Sequence, residues 1–308
     1  MVYKFLNQVI GNRVETYSKD RRKKIEEIYA CYLELLKENN WEIDKITDSK
    51  TIWQGKEICF PILAFRTKIK GPAVYLISGI HGEEPAGANA IAESIEILKN
   101  LGKKKPVVLI PLCNPLGYFR NWRYLNKERY NDNPKVEEKS VGDCSHFLLN
   151  SKNKSRRKKP ANKECLALSK YILKICKEYP PLISIDLHED SLLKKGYIYC
   201  QGKKDEVGSL ILKVLQDNRI PIQLEGKTRF GEKITDGRVG RQKDSSIDEL
   251  ISAEKIIVNG KIKRWPYAEK VFVIEIPSES ISLKKRVKAY KEIISFFNNK
   301  TSKMPEHF

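Results

Sequence analysis

Residues 75–87 read Tyr75-Leu76-Ile77-Ser78-Gly79-Ile80-His81-Gly82-Glu83-Glu84-Pro85-Ala86-Gly87. The stretch begins as an apolar strand and ends abruptly in a histidine, with a glutamate three residues later. A histidine and a carboxylate at this spacing can converge on one ion from a single turn of backbone. Gly82 and Gly87 would give that backbone freedom to turn tightly around the ion. Pro85 then favours the start of a helix, because proline is well tolerated in the first helical turn.

Two later stretches have the same form, an apolar run broken at or near its end by a polar group. They are Leu182-Ile183-Ser184-Ile185-Asp186-Leu187-His188 and Val271-Phe272-Val273-Ile274-Glu275-Ile276-Pro277. Nearly continuous apolar runs are typical of central strands that helices cover on both faces. Ligands of open α/β sheets bind where the carboxyl ends of such strands open onto loops. The three stretches together therefore indicate a zinc hydrolase with its site at one sheet edge.

The wider pattern predicts a single α/β domain over residues 1–308, with a mixed, mostly buried central sheet flanked by helices. Apolar residues at helical spacing within residues 20–39 predict an amphipathic helix, so we expect residues 1–50 to form a helical covering segment. Residues 126–162 are polar and highly charged, and we expect a long loop there. Further strands are predicted at 58–67, 73–80 and 107–112, and helices at 85–98, 163–178, 205–217 and 284–298.

The chain is strongly basic, with 58 Lys and Arg residues against 39 Asp and Glu and a formal net charge of +19. Such a surplus can attract nucleic acid, because phosphate binding is mostly electrostatic. The lysines are spread along the whole chain, however, and no nucleic-acid-binding motif or interleaved aromatic pattern is present. We therefore expect no specific nucleic-acid partner. The densest basic cluster, residues 152–159, is expected to be a solvated loop that could also attract an acidic substrate or surface.

Cysteine usage and hydropathy indicate the compartment. Seven cysteines occur without any C-x-x-C pair, which favours reduced, buried thiols over a disulfide framework. No run of eighteen apolar residues could span a bilayer, and the first residues lack the apolar block of a secretory signal. The sequence therefore predicts a soluble, cytoplasmic protein without a transmembrane segment.

His81, Glu84 and His188 match the ligands of a catalytic zinc site, which takes three nitrogen or oxygen donors and keeps one position open. The simpler interpretation is a hydrogen-bonded structural histidine, because a lone H-x-x-E pattern also arises by chance. Two of the four histidines stand next to carboxylates at the ends of buried strands, which favours a shared metal ion. We predict one Zn²⁺ per chain. Asp186 shares a strand face with His188 and is expected to contact that histidine rather than the metal.

Glu275 interrupts an apolar strand, where an unpaired charge is costly to bury. One explanation is a buried ion pair with a lysine or arginine. The explanation that we favour is a general base that takes a proton from zinc-bound water. Glu279, four residues further on, is the other candidate for this role.

The order of these motifs resembles that of the carboxypeptidase A-like zinc metallopeptidases. Three segments are similar to the family's H-x-x-E, N-P-x-G-Y and R-x-W-R motifs: His81-Gly82-Glu83-Glu84, Asn114-Pro115-Leu116-Gly117-Tyr118 and Arg120-Asn121-Trp122-Arg123. His188 and Glu275 then fall where the family places its third zinc ligand and its catalytic glutamate. The ordered match covers about residues 73–277 and depends on the order of its five pieces rather than on any one.

The resemblance implies that His81, Glu84 and His188 hold Zn²⁺, that Glu275 activates water and that Arg123 stabilises the oxyanion. It also implies a substrate-binding region that contains Arg120. Carboxypeptidases of this type usually bind the terminal carboxylate of the substrate with an asparagine-arginine pair. At the matching place this chain has Ser145 and His146, which are therefore the candidate substrate-binding residues.

The expected function is that of a metallocarboxypeptidase that hydrolyses a C-terminal amide bond of a peptide or cell-wall-type peptide. Asp186-Leu187-His188 also resembles the D-L-H motif of the succinylglutamate desuccinylase and aspartoacylase relatives, which cleave acyl groups from amino acids. A zinc-dependent deacylase of N-acyl amino acids is therefore the alternative, and a catalytically silent binding protein on the same scaffold is a third. The expected partner is accordingly a peptide or acylated amino-acid substrate. Gly117-Tyr118 and the R-x-W-R segment are more similar to the peptidase branch.

Overall fold

The structure, a computed structural model, describes residues 21–53, 55–125, 140–201 and 206–300. The strands are β1 Trp41–Trp53, β2 Lys56–Thr67, β3 Ala73–Ser78, β4 Val107–Ile110, β5 Pro181–Asp190, β6 Tyr197–Cys200, β7 Glu225–Lys227, β8 Lys233–Thr235, β9 Arg238–Val239, β10 Lys255–Val258, β11 Lys261–Arg264 and β12 Lys270–Pro277. The helices are α1 Ile25–Leu33, α2 Pro85–Ala92, α3 Ile95–Lys104, α4 Pro115–Arg120, α5 Lys163–Ile175, α6 Glu206–Asp217, α7 Ile247–Ile251 and α8 Leu283–Lys300, and a 3-10 helix, Glu34–Lys37, follows α1.

A mixed sheet organises the molecule. Within the described residues, ten strands form it in the order β1-β2-β4-β3-β5-β12-β6-β9-β8-β7, and β10 and β11 form a separate hairpin. The central strands β4, β3, β5 and β12 are parallel. β2 and β6 join them as antiparallel neighbours, one on each side. The parallel strands bring the segments after β3 and the carboxyl ends of β5 and β12 to one edge of the sheet.

Apolar side chains cover both faces of the central strands. On one face α1, α2, α3, α6 and α8 pack against strand residues such as Leu76, Ile185 and Ile274. On the other face α5 and α7 pack against Tyr75 and Ile77 of β3. Because successive side chains of a strand point to opposite faces, burial on both sides requires a nearly continuous apolar run. The predicted fold class, an α/β protein with a mixed central sheet between helices, is confirmed.

Most predicted elements are present with small shifts at their ends. The strands predicted at 58–67, 73–80 and 107–112 are β2, β3 and β4, and the helices predicted at 163–178, 205–217 and 284–298 are α5, α6 and α8. The single helix expected at 85–98 is instead two helices, α2 and α3, which Glu93 and Ser94 separate. Ser94 has a non-helical backbone at the start of α3, a position that serine favours over helix interiors.

The expectation of a helical covering segment at residues 1–50 is only partly correct for the residues described. The predicted helix is present as α1, which buries Ile25, Ile28, Tyr29 and Tyr32. Trp41–Trp53, however, is an edge strand of 13 residues paired antiparallel with β2. Most of its side chains are only partly buried, so the strand lacks the apolar run that marks a central strand. Residues 1–20 lie outside the described part of the chain.

Three further predictions concern the long charged loop, the cysteines and membrane-spanning segments. Residues 140–162 of the expected long loop form turns, with an isolated bridge between Leu149 and Ser155, and residues 126–139 lie outside the described part. All seven cysteines are free thiols. Among the described helices, none combines the length and the apolar character needed to cross a bilayer.

Candidate metal centre

Three side chains converge where the turn after β3 meets the carboxyl end of β5. One donor atom each from His81, Glu84 and His188 lies within 4.8 Å of the other two. His81 Nδ1 is 2.8 Å from Glu84 Oε1, and His188 Nδ1 is 3.0 Å from Glu84 Oε2. Glu84 and His188 are almost fully buried, and His81 is partly exposed. Two imidazole nitrogens and one carboxylate within this distance are a donor set that suits Zn²⁺.

The environment of His188 Nδ1 supports a metal ion rather than a hydrogen bond. This nitrogen is buried and has no aligned hydrogen-bond partner among the described residues, although the Glu84 carboxylate is 3.0 Å away. A buried polar atom without a partner is unusual and requires an explanation. A metal ion held between the imidazole and the carboxylate would satisfy both groups. The residues present therefore fit the metal that the sequence predicts.

The glycines of the ligand turn are required by space. A Cβ atom at Gly82 would lie 1.9 Å from the carbonyl carbon of Gly117, and one at Gly87 would lie 2.2 Å from Ser78 Oγ. Neither glycine has the positive φ that other residues avoid, whereas Gly79, at the end of β3, has φ +65°. The prediction that Gly82 and Gly87 provide conformational freedom for a tight turn is therefore wrong, because lack of space for a Cβ atom is what requires glycine there. The left-handed backbone conformation that favours glycine occurs at Gly79 instead.

Charge around Glu84 is balanced by several donors. Arg123 Nη1 donates to Glu84 Oε1 at 2.7 Å and to Glu83 Oε1 at 3.2 Å, and the backbone amide of Glu189 donates to Glu84 Oε2 at 3.2 Å. Burial opposes the ionisation of Glu84, but His81 and His188 lower its pKa well below the ordinary value. Burial, together with the charge of Arg123, lowers the pKa of His81 to about 4. Near neutral pH Glu84 is therefore a carboxylate and His81 a neutral imidazole, the forms that bind a metal.

The contact predicted between Asp186 and His188 is present. His188 Nε2 lies 3.0 Å from Asp186 Oδ2, and Asp186 is fully buried. Burial disfavours the imidazolium, but Asp186 and Glu84 raise the pKa of His188 well above its ordinary value. A carboxylate on the second ring nitrogen orients the imidazole and makes it a better ligand. The hydroxyl of Tyr290, on α8, donates a hydrogen bond to the carbonyl oxygen of His188 and so fixes the backbone of this residue.

Glu275 is directly opposite His188 in the register of β12 and β5. Its side chain is partly exposed, but its carboxyl group is desolvated, and this burial raises the pKa of Glu275 to about 8. His188 opposes the rise and Glu84 adds to it. Among the described residues Glu275 forms no ion pair with a lysine or arginine, so the structural explanation for this residue finds no support there. Glu279, the other candidate, is exposed beyond the end of β12.

The three candidate substrate-binding residues have described contacts with groups other than the candidate ligands. Arg120 donates to the hydroxyl of Thr51 on β1, and its guanidinium lies 4.4 Å from the ring centroid of Trp122. Ser145 donates to Asp143 Oδ1, and the ring of His146 is 4.2 Å from that of Phe147. In the part of the chain that is described, no hydrogen bond or ion pair joins these three residues to the candidate ligands.

Two buried carboxylates beside the centre, Asp248 and Glu189, were not predicted from the sequence. Asp248, on α7, is 3% exposed and has a carboxylate oxygen within 4.8 Å of donor atoms of Asp186 and His188. Burial and the charge of Asp186 raise the pKa of Asp248 well above its ordinary value. Glu189 accepts a hydrogen bond from the backbone amide of Ala86 at 2.6 Å and forms an ion pair with Arg286 on α8. Asp248 stands in the first turn of a helix, and Glu189 follows a histidine. Both settings are common for acidic residues, so the sequence around these two residues has no distinctive pattern.

Comparison with known proteins places this geometry in a known fold. No family model and no curated protein matches the sequence. A proposed metallopeptidase from Shewanella baltica OS155 matches the structure with a TM-score of 0.65 and 16% identity, over 89% of this chain and 91% of that one. A metallo-carboxypeptidase from Burkholderia cenocepacia matches with a TM-score of 0.53 and 10% identity, over 89% and 68%.

A metallo-carboxypeptidase from Pseudomonas aeruginosa, in complex with (2-guanidinoethylmercapto)succinic acid, matches with a TM-score of 0.51 and 13% identity, over 89% of this chain and 68% of that one. This chain has the metallo-carboxypeptidase fold. The fold that the sequence motifs imply is thus confirmed. At these identities the likeness concerns the arrangement of strands and helices, and the chemistry depends on the side chains of this chain.

Proposed function

We propose that the protein is a zinc-dependent metallocarboxypeptidase that hydrolyses a C-terminal amide bond of a peptide or cell-wall-type peptide, with residues 1–308 as one catalytic domain. The observation that carries the proposal is the convergence of His81, Glu84 and His188 within 4.8 Å. Glu275 is beside them on the neighbouring strand, and Arg123 donates to Glu84. A metal site, a carboxylate and a cation at one place are what amide hydrolysis by this class of enzyme requires.

His81, Glu84 and His188 would hold the ion through two imidazole nitrogens and a carboxylate. Bound there, Zn²⁺ would supply Lewis-acid polarisation of the scissile carbonyl and make water more acidic. His81 is already in the protonation state that binds a metal, because burial lowers its pKa and keeps it neutral, whereas His188, whose pKa is raised by Asp186 and Glu84, would release a proton when the ion binds. Asp186 keeps the ring of His188 in one orientation.

Glu275 is the proposed general base. A base works best when its pKa is near the working pH, because it can then both accept a proton and return it. Burial raises the pKa of Glu275 to about 8, within that range. Its carboxylate would take a proton from the attacking water and deliver it to the nitrogen of the leaving group. The alignment of Glu275 with His188 in adjacent parallel strands supports this role, because the two residues are direct neighbours across the strands.

Arg123 is the proposed stabiliser of the oxyanion. Its guanidinium stays charged at any working pH and is only 12% exposed, where a charge interacts more strongly than in water. The proposal is supported by the hydrogen bond that Arg123 donates to Glu84 at 2.7 Å, because it brings the charge next to a proposed metal ligand. Stabilisation of a developing oxyanion by one such donor is worth about 3 to 4 kcal/mol.

A second candidate function is the removal of an acyl group from an amino acid. Two observations favour it. Ser145 and His146 stand where an asparagine-arginine pair is expected, and no described hydrogen bond or ion pair joins them to the candidate ligands. Asp186 and His188 form the contact that the D-L-H motif suggests. A deacylase would share the same ligands, base and arginine, and would differ in how it binds the substrate.

Mass spectrometry of reaction products separates these functions. The zinc-loaded protein is incubated with peptides, cell-wall-type peptides and N-acyl amino acids. Loss of one C-terminal residue is expected. Loss of an acyl group from an amino acid would instead support the deacylase. Binding of Zn²⁺ without any product from the whole panel would contradict both and favour a silent binding protein.

A further inference from the structure

Arg22 is a buried arginine in the extended segment before α1, with 4% of its surface exposed. Its guanidinium donates to the carbonyl oxygen of Gly82 at 2.9 Å, to that of Tyr118 at 3.2 Å and to the side chain of Asn121. The guanidinium carbon also lies 4.9 Å from the centroid of the Tyr118 ring. The planar fork of an arginine suits several acceptors in fixed positions. One side chain therefore connects segments that are 60 and 96 residues away in sequence.

The two segments that Arg22 connects carry the chemistry of the site. Gly82 stands between the candidate ligands His81 and Glu84, and Asn121 ends α4 two residues before Arg123. The same two segments also meet directly, because the amide of Gly82 is 3.4 Å from the carbonyl oxygen of Arg123. That contact is long, whereas the hydrogen bonds of Arg22 are charge-assisted and shorter. Beside the ion pairs that Arg123 forms with Glu83 and Glu84, Arg22 is thus a second polar link between the ligand turn and the loop of Arg123.

The backbone next to Arg22 reinforces this link. The amide of Lys23 donates to Asn89 Oδ1 at 3.0 Å, and the hydroxyl of Tyr118 donates to the carbonyl oxygen of Lys23 at 2.7 Å. Asn89 belongs to α2, which follows the ligand turn, and its amide donates to the Tyr118 hydroxyl at 2.9 Å. Residues 22–23 therefore form hydrogen bonds with both α2 and α4.

We propose that Arg22 is a positioning residue of the metal centre. It holds the turn that carries His81 and Glu84 against the loop that carries Arg123, so that the ligands are in place before the ion binds. This inference rests on the proposed function, because it takes His81, Glu84 and His188 as metal ligands. Groups that orient metal ligands typically change metal affinity 10- to 100-fold when they are removed, and we expect a loss of about that size for Arg22→Gln.

The test uses three measurements that need no substrate. They are the Zn²⁺ affinity from competition with a chromophoric chelator, the absorption spectrum of the Co²⁺-loaded protein and the thermal midpoint of the metal-free protein. For Arg22→Gln we expect weaker Zn²⁺ binding and an altered Co²⁺ spectrum. The matched control is Arg66→Gln. Arg66, on β2, donates to Asp44 Oδ2 at 2.8 Å and to the Tyr179 hydroxyl at 3.2 Å, near the amino end of β4 and away from the ligands.

Arg66→Gln should lower the thermal midpoint while leaving the Zn²⁺ affinity and the Co²⁺ spectrum unchanged. A lysine keeps the charge at position 22 but lacks the fork, so Arg22→Lys should recover only part of the affinity. If Arg22→Gln does not fold, Asn121→Gly tests the same link with a smaller perturbation. Asn121 has φ 56°, which glycine adopts freely, and the change removes one acceptor of Arg22. It should weaken Zn²⁺ binding in the same direction by a smaller factor.

Wild-type affinity and an unchanged Co²⁺ spectrum in Arg22→Gln, or in Asn121→Gly if Arg22→Gln is unfolded, would overturn the proposal. So would an equal loss of affinity in Arg66→Gln, because the effect would then be general destabilisation. Failure of the wild-type protein to bind Zn²⁺ would contradict the proposed function as well. Binding of Zn²⁺ without hydrolysis would contradict only the catalytic assignment and leave the result for Arg22 standing.

Discussion

Glu275 is the residue on which the catalytic proposal depends most. Its carboxyl group is buried beside His188, and that burial is the largest cause of its raised pKa. Changing Glu275 to Gln keeps the size of the side chain and removes the base. We expect Zn²⁺ to bind as in the wild-type protein and turnover to fall by a factor of about 10² to 10⁴, the range for loss of a general base. Equilibrium dialysis measures Zn²⁺ binding, and a peptide hydrolysis assay measures turnover. Full activity in Glu275→Gln would refute the assignment of Glu275 as the general base.

The same residue predicts how stability depends on pH in the metal-free protein. Burial raises the folded-state pKa of Glu275 to about 8, above its ordinary value of 4.5. Between these values the folded state binds the proton more tightly than the unfolded state, so the stability contribution is complete below pH 4.5 and is lost as the pH rises through 8. Glu275→Gln does not titrate.

Urea unfolding of both metal-free proteins between pH 5 and pH 9 tests this dependence. The free energy of unfolding of the wild-type protein should fall relative to that of Glu275→Gln as the pH rises. A difference that stays constant over this range would show that the carboxyl group is not desolvated. A wild-type free energy of unfolding that instead rises relative to that of Glu275→Gln as the pH rises would mean that the folded protein stabilises the carboxylate.

His188 is a candidate metal ligand whose Nδ1 faces Glu84 and whose Nε2 contacts Asp186. His188→Ala removes one of three candidate ligands, and we expect Zn²⁺ to be lost together with activity. His146→Ala is the matched control, because that ring packs on Phe147 and has no described contact with the ligands. Zn²⁺ content after dialysis distinguishes the two variants. Equal Zn²⁺ content in both would place the metal elsewhere.

At the scale of elements, the ligand turn depends on two segments passing close to each other. A Cβ atom at Gly82 would overlap the backbone of Gly117, at the start of α4, at 1.9 Å. Gly82→Ala must therefore separate the turn after β3 from α4. We expect a loss of several kcal/mol, on the order of 2 to 4, since overpacking at rigid backbone is poorly relieved. Zn²⁺ affinity should fall with it.

Gly240→Ala is the control for this prediction, because a Cβ atom there would meet no atom within 4 Å and the residue has no positive φ. Its free energy of unfolding should differ from that of the wild-type protein by less than about 0.5 kcal/mol. Thermal or urea unfolding of the two variants makes the comparison. A Gly82→Ala protein as stable as Gly240→Ala would mean that the turn and α4 are farther apart than the structure shows.

At the scale of the whole molecule, the candidate metal centre brings together strands that different parts of the chain supply. His81 and Glu84 follow β3, and His188 lies near the end of β5, about 100 residues later. A ligand that binds only the folded state stabilises it by about 4 kcal/mol at a thousand times its dissociation constant. Removal of Zn²⁺ by a chelator should therefore lower the thermal midpoint of the wild-type protein. His188→Ala should show no such shift, and a shift of equal size in that variant would argue against the site.

The sequence by itself determined the central sheet and the order of the chemical groups along it. A charged or polar residue is costly inside an apolar strand, so His81, His188 and Glu275 stood out without any knowledge of contacts. The same apolar runs predicted β3, β5 and β12, because strands buried on both faces lack alternation. Their parallel arrangement then follows the usual rule for α/β sheets.

Only the tertiary structure decided which groups meet across the chain. β1 is an edge strand with partly buried side chains, so its sequence has no clear period. Asp248 and Arg22 reach the centre from elements that are distant in sequence, and nothing in their neighbours marks them. Gly82 is required by the backbone of Gly117, a contact that no local pattern records. Local sequence reports the burial of its own segment, whereas long-range contacts depend on how all segments pack together.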